Sequence, residues 1–291
     1  LSATDGDLSQ ISQRAKESDD GGNYSSETAS TLIEKATKQL ILGEFRSALE
    51  SVESAIKRDQ NFGQAWILKA RLVAAEAGPL NDAIKSLRRA NALGEYTVIL
   101  ESEILENDGR TDASIEVLEE HLRNSPGDPE ARGRLSQLWL TSGSPDSARQ
   151  TLEEAPEEAW SSSTLYIMKG RLCLVDADHH RDETGKVDQI PVIDALVSFD
   201  RAIEIERESG LAWLGRARAL RYQGAFDEAE VALVRARRLI PEHPSISLEE
   251  AQLFLEIGDL EQANALILEA TTTLKDNQTV PFIRGIIAAK H

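Results

Sequence analysis

Small apolar residues recur along the chain at a nearly fixed interval. Ala48, Ala83, Ser114, Ala148, Ala195, Ala229 and Ala263 form one ladder, with steps of 35, 31, 34, 47, 34 and 34 residues. A second ladder stands seven residues further on, at Ala55, Ala90, His121, Ala155, Ala202, Ala236 and Ala270, with identical steps. Two ladders in register mark an internal repeat rather than a series of unrelated elements. Five residues before most members of the first ladder lies a glycine, at Gly43, Gly78, Gly109, Gly143, Gly224 and Gly258. Each is expected to close one helix and let the chain turn back, because glycine enters left-handed backbone conformations without a side-chain penalty. Larger residues follow the turn at Phe45, Leu80, Phe226 and Leu260, and Pro126 and Pro241 stand where the second helix of a pair should stop. The repeating unit therefore reads helix, turn, helix, stop. Its small residues sit where two helix backbones approach closely.

The stretch from Leu211 to Pro244 carries Trp213, Ala217, Gly224, Phe226, Ala229, Ala236 and Pro241 in that order. This pattern resembles the 34-residue unit of the tetratricopeptide repeat family. The resemblance covers about nine tenths of the chain and implies an all-α fold, a right-handed α-solenoid of antiparallel helix pairs, the tetratricopeptide superhelix. Seven units are expected over residues 28–278, followed by the first helix of an eighth, truncated unit over 279–291, where Phe282 and Gly285 stand. Residues 1–27 are polar apart from Leu8, Ile11 and Ala15 and read as an N-terminal arm or capping helix. The unit around Gly109 departs most from the pattern, with Ser114 and His121 in place of alanines and a polar first helix. The 47-residue step places about 13 extra residues inside the fifth unit, over about 175–192, where a surface loop is expected.

Composition agrees with helices packed through small side chains: 41% of residues are hydrophobic, only 5% are aromatic, and prolines number 9 in 291. Fifty acidic residues against 32 basic ones leave a formal net charge of -18, which opposes nucleic acid and anionic membrane surfaces. No apolar run approaches the roughly 18 residues that span a bilayer. A single cysteine, Cys173, excludes an intrachain disulfide framework and a cysteine-rich zinc site, and marks no compartment. Cytoplasmic and exported or periplasmic locations stay equally open.

Candidate chemistry concentrates in three first helices. Trp66-Ile67-Leu68-Lys69-Ala70-Arg71-Leu72, Tyr166-Ile167-Met168-Lys169-Gly170-Arg171-Leu172 and Trp213-Leu214-Gly215-Arg216-Ala217-Arg218-Ala219 place an aromatic, a small residue and an arginine in matching order. In the family that the chain resembles, first helices line the concave surface and the position after the small residue faces the groove. The resemblance thus points Arg71, Arg171 and Arg218 into that groove. Arg221 and Tyr222 stand one turn beyond Arg218, and Arg134, after Gly133, is expected to reach the groove from the fourth unit. Guanidinium groups bind carboxylates bidentately and stack on aromatics, so an acidic peptide or a carboxylate-bearing ligand is the chemical complement. The bland alternative pairs these arginines with acids on adjacent helices. A clamp for chaperone carboxylates is not expected, because Ile33 and Thr37 occupy the relevant face of the first unit.

The insertion holds Asp176, Asp178, His179, His180, Asp182 and Glu183, but adjacent histidines rarely share one ion. His179 and His180 are weak metal candidates, and no metal or other cofactor is expected. No phosphate-binding glycine loop, nucleophile elbow or His-Glu-x-x-His motif is present. The expected function is a non-catalytic protein-protein interaction scaffold or adaptor that holds a peptide or partner protein in an arginine-lined groove. Two other readings stand beside it: a scaffolding segment of a larger protein, of the bacterial cell-envelope or polymer-export kind, and a solenoid that self-assembles into homo-oligomers.

Overall fold

A computed structural model describes residues 27–273 apart from Ala77, Gly185 and Glu242; side chains are described outside 180–184 and 269–273. The expected arm over 1–27, save Glu27 itself, and the eighth unit over 279–291 lie outside the described residues. Fourteen α-helices and no strand occur among the described residues. The chain divides into two compact units, residues 1–121 and 122–291.

In the first unit α1 (Ala29–Ile41) pairs with α2 (Phe45–Arg58) and α3 (Gly63–Ala75) with α4 (Leu80–Ala92), and α5 (Val98–Asn107) is joined to the first part of α6 (Thr111–Asn124) through Ser102 and Ser114. In the second, α7 (Pro129–Thr141) pairs with α8 (Pro145–Glu153), α9 (Ser163–Thr184) with α10 (Gln189–Ile205), α11 (Gly210–Gln223) with α12 (Phe226–Leu239), and α13 (Pro244–Ile257) with α14 (Leu260–Thr273). A 3-10 turn over Glu157–Ser161 links α8 to α9. Each unit is thus an all-α solenoid of stacked helix pairs.

The pairs pack through the small residues of the ladder. Ala48, Ala83, Ser114, Ala148, Ala195, Ala229 and Ala263 are all fully buried. Facing them on the first helices runs a companion set, Ala36, Ala70, Ser102, Ser136, Ala217 and Ala251, equally buried, with Gly170 at the matching place in α9. Where both members are serine, in the α5 and α6 pair, the hydroxyls of Ser102 and Ser114 lie 2.8 Å apart and Ser114 also donates to the Ser102 carbonyl. Two buried hydroxyls are tolerated there because each finds a partner. Trp66 and Trp213 anchor their helices identically: each indole N–H donates at 3.0 Å to a carbonyl six residues earlier, of Gln60 and Arg207.

Two local expectations change. Gly43, Gly109, Gly143, Gly224 and Gly258 have positive φ, but Gly78 does not, and the sixth positive φ belongs to Gly94 after α4. Gly78 is instead required by space, since a Cβ there would lie 2.9 Å from the Val73 carbonyl oxygen, to which its own N–H donates. The insertion is not a loop. Residues 175–184 continue α9 to 22 residues, because nothing between Gly170 and Gly185 breaks a helix, and residues 189–192 begin α10.

Candidate groove on the second unit

First helices of successive pairs touch one another in the second unit: α7 against α9, α9 against α11, α11 against α13. Their exposed flank forms a groove of about 510 Å³. Its floor rests on Phe199, a fully buried ring of α10 held between two glycines. A Cβ at Gly170 would stand 2.7 Å from Phe199 Cζ, and one at Gly215 would stand 2.1 Å from its Cε1. Both glycines therefore exist to seat this ring. Aliphatic side chains such as Ile167, Leu174 and Leu214 form one wall; the polar groups are Gln137, Thr141, Arg171, Asp178, Arg218, His243 and Ser245.

Arg171 is the unusual member. Its Nη1 donates to Gln137 Oε1 and touches Met168 Sδ at 3.9 Å, and among the described residues no carboxylate lies within salt-bridge distance. The side chain is exposed along its length but crowded at its head. Crowding by protein, with the Arg218 charge added, lowers the Arg171 pKa to about 10, which leaves it charged at neutral pH.

Arg218 and Arg221 have acids. Glu249 of α13, fully buried, accepts from Arg218 Nε at 2.7 Å and from Arg221 Nε at 2.6 Å. Arg221, also buried, donates further to Glu256 and to Gln252 Oε1 at 2.9 Å, and its guanidinium lies 4.7 Å from the Tyr222 ring centroid. Burial on its own raises a carboxylate pKa, yet two guanidinium groups outweigh it and hold Glu249 below the ordinary range. The same carboxylate is the main cause of the raised Arg218 pKa. Arg221 thus pins α11 to α13, whereas Arg218, whose side chain is 43% exposed, bonds through Nε alone among the described residues and lines the groove. Tyr222 ties α11 to the insertion: its hydroxyl donates to Asp178 Oδ1 at 2.6 Å, and burial followed by that bond pushes its pKa up to about 12.

Of the six residues singled out from the sequence, Arg171 and Arg218 come together in the groove, Arg221 and Tyr222 brace its side, and Arg134 of α7 is not part of its lining. Arg71, half-buried on α3, belongs to the other compact unit. Gln137 stands 34 residues before Arg171 and occupies the place in the fourth repeat at which Arg134 was sought. His243, at the N-cap of α13, was not singled out at all. No sequence period marks it, because it lies in a connection. His179 is exposed on α9, His180 lies outside the described side chains, and no group of three or more metal-ligand side chains occurs among the described residues. None of the described helices is long and apolar enough to cross a membrane.

Two tetratricopeptide repeat models match the chain, over residues 107–166 and 214–277. Among solved structures it is similar to a tetratricopeptide repeat protein from Parabacteroides merdae, at 14% identity over 90% of this chain and 100% of that one, with a TM-score of 0.61. The human IFIT1 dimer with m7Gppp-AAAA is matched at 18% identity over 97% of this chain and 67% of that one, TM-score 0.61. The APC/C hetero-tetramer Cut9-Hcn1 is matched at 15% identity and a TM-score of 0.49, and there 96% of this chain spans 45% of the other. At such identities the likeness is one of fold. No curated protein sequence matches.

Proposed function

The chain belongs to the tetratricopeptide repeat family, whose fold serves as a protein-interaction scaffold, and from that premise we propose that it is a non-catalytic adaptor gripping an acidic segment of a partner protein in the groove of its second unit. The observation that carries this reading is Arg171, a guanidinium in the groove with no acid within bonding range of it among the described residues, in a molecule with 50 acidic residues. A chain so rich in carboxylates supplies a partner to an arginine easily, as Glu249 does for Arg218 and Arg221. Leaving Arg171 without one costs little if a partner's carboxylate completes it, and a guanidinium presents up to five donors for that purpose. Charge also limits the occupant. Arg171, Arg218 and Arg221 are balanced in number by Glu249, Glu256 and Asp178, so the site has no excess positive charge to hold a phosphate chain. The m7Gppp-AAAA of the human IFIT1 structure belongs to that protein; a net charge of -18 disfavours such a polyanion here.

Selection of a displayed random-peptide library on the intact chain tests the proposal. Acid-containing peptides are expected to emerge despite the overall negative charge, and Arg171→Glu is expected to reverse that preference. Arg171 is the residue to change, since Arg218 also supports Glu249. Identical peptides selected by both proteins would overturn the reading.

A further inference from the structure

The groove holds one titratable group that the adaptor reading does not use. His243 is half-buried between α12 and α13; its Nδ1 is shielded from solvent and has no hydrogen-bond partner among the described residues. The charged groups lining the same groove are Arg171 and Asp178 from α9 and Arg218 from α11, while α7 contributes only Gln137 and Thr141, and α13 Ser245. Asp178 is engaged by the Tyr222 hydroxyl, and Arg218 by Glu249. With Nδ1 closed off, a partner in the groove reaches the ring through its other nitrogen, Nε2.

We propose that His243 is a specificity-determining contact for the partner's carboxylate, and that this carboxylate, seated between Arg171 and His243 beside an aliphatic side chain on the Ile167, Leu174 and Leu214 wall, is bound together with one proton on the imidazole. The inference rests on the acidic-segment reading above and adds its regulation. In the empty groove, burial and then the Arg171 charge lower the His243 pKa, so the ring is neutral at pH 7. A bound carboxylate offsets the Arg171 charge and hydrogen-bonds the imidazolium, which raises the His243 pKa. Affinity therefore strengthens as pH falls from the bound-state pKa to the free-state pKa, and is flat above and below that window. A rise of one pKa unit on binding corresponds to a tenfold change in Kd across the window.

Three synthetic peptides serve as probes: alternating leucine and glutamate with both ends blocked, the same peptide with glutamine for glutamate, and that glutamine peptide with a free C-terminus. The first and third distinguish a side-chain carboxylate from a chain end, and the second carries neither. Calorimetry from pH 5.5 to 7.5, in buffers of different ionisation enthalpy, reads Kd and proton uptake together. The expected result is binding of a carboxylate-bearing peptide that tightens about tenfold toward the acid end with net proton uptake. Arg171→Gln is expected to lose that binding, and His243→Gln to bind about tenfold more weakly than the unsubstituted chain at the acid end and without pH dependence. The imidazole NMR titration of the unsubstituted chain, with and without the peptide, reads the same linkage independently of how the variant folds. Binding with a flat pH profile, or a slope that survives in His243→Gln, would overturn the inference and leave the adaptor reading standing. No preference for either carboxylate peptide over the glutamine control, or binding that Arg171→Gln leaves unchanged, would overturn both.

Discussion

Replacing Glu249 by glutamine removes a single charge from the most buried ionic cluster in the second unit. In the native protein the Glu249 carboxylate, 1% exposed, is the shared acceptor of Arg218 and Arg221. Glutamine keeps the shape but offers one acceptor and turns an NH2 group toward donors, which leaves Arg221, 4% exposed, with only the half-exposed Glu256 as a counter-charge. Breaking one side of a buried pair costs about 3–5 kcal/mol. The partial exposure of Arg218 and Glu256 places the expected loss near the lower bound, about 3 kcal/mol. Urea unfolding followed by helical circular dichroism is expected to show a midpoint lower by roughly 1–2 M at pH 7. The sign of the pH dependence follows from the depressed Glu249 pKa: its stabilisation is present above the unfolded value of 4.5 and is lost as pH falls through the folded value. The gap between native protein and variant is therefore expected to close in acid. A loss under about 1 kcal/mol, or a gap of constant size through the acid limb, would refute the assignment of Glu249 as the pin between α11 and α13.

The remaining predictions concern the walls and floor of the groove. Gly215→Ala drives a Cβ into the Phe199 ring and is expected to cost about 1–3 kcal/mol by overpacking, whereas Gly224→Ala, with open space but φ of +82°, is expected to cost about 1–2 kcal/mol through backbone strain alone. Adding Phe199→Leu separates them by urea midpoint, since only the Gly215→Ala loss is then relieved. Tyr222→Phe removes the hydrogen bond to Asp178, is expected to cost about 1 kcal/mol, and removes from an ultraviolet alkaline titration a phenol that ionises near pH 12. Ser102→Ala with Ser114→Ala is expected to lie within about 1 kcal/mol of the native protein by urea unfolding, because both hydroxyls leave together and alanine occupies the same two places in the α3 and α4 pair.

The stack was legible because close helix packing demands small side chains at fixed intervals, and the demand shows even where serine replaces alanine. The groove was legible only where it follows that interval. Arg171 and Arg218 follow the small residues Gly170 and Ala217, but the fourth repeat was read from its local Gly133-Arg134 pair, and the 34-residue interval leads instead to Gln137. The extra residues in the fifth repeat were read as a loop from their spacing, although their own composition favours helix up to Gly185. Glu249 and His243 were beyond reach for a different reason. Partner choice across helices depends on side-chain reach in three dimensions, and Glu249 is one of 50 acids.

The lengthened pair of α9 and α10 has a consequence for how such a protein diversifies. At 1.5 Å per residue α9 extends for about 33 Å, against about 20 Å for the 13- and 14-residue helices around it. Its added turns carry Asp178 to the groove, yet ladder steps on either side of the insertion remain 34 residues. The height of that wall is therefore an independent variable of the architecture. Residues exchanged in these added turns change what the groove admits while the ladder that packs the helix pairs is left untouched, so new specificity is gained here by editing one helix end rather than by redesigning a core.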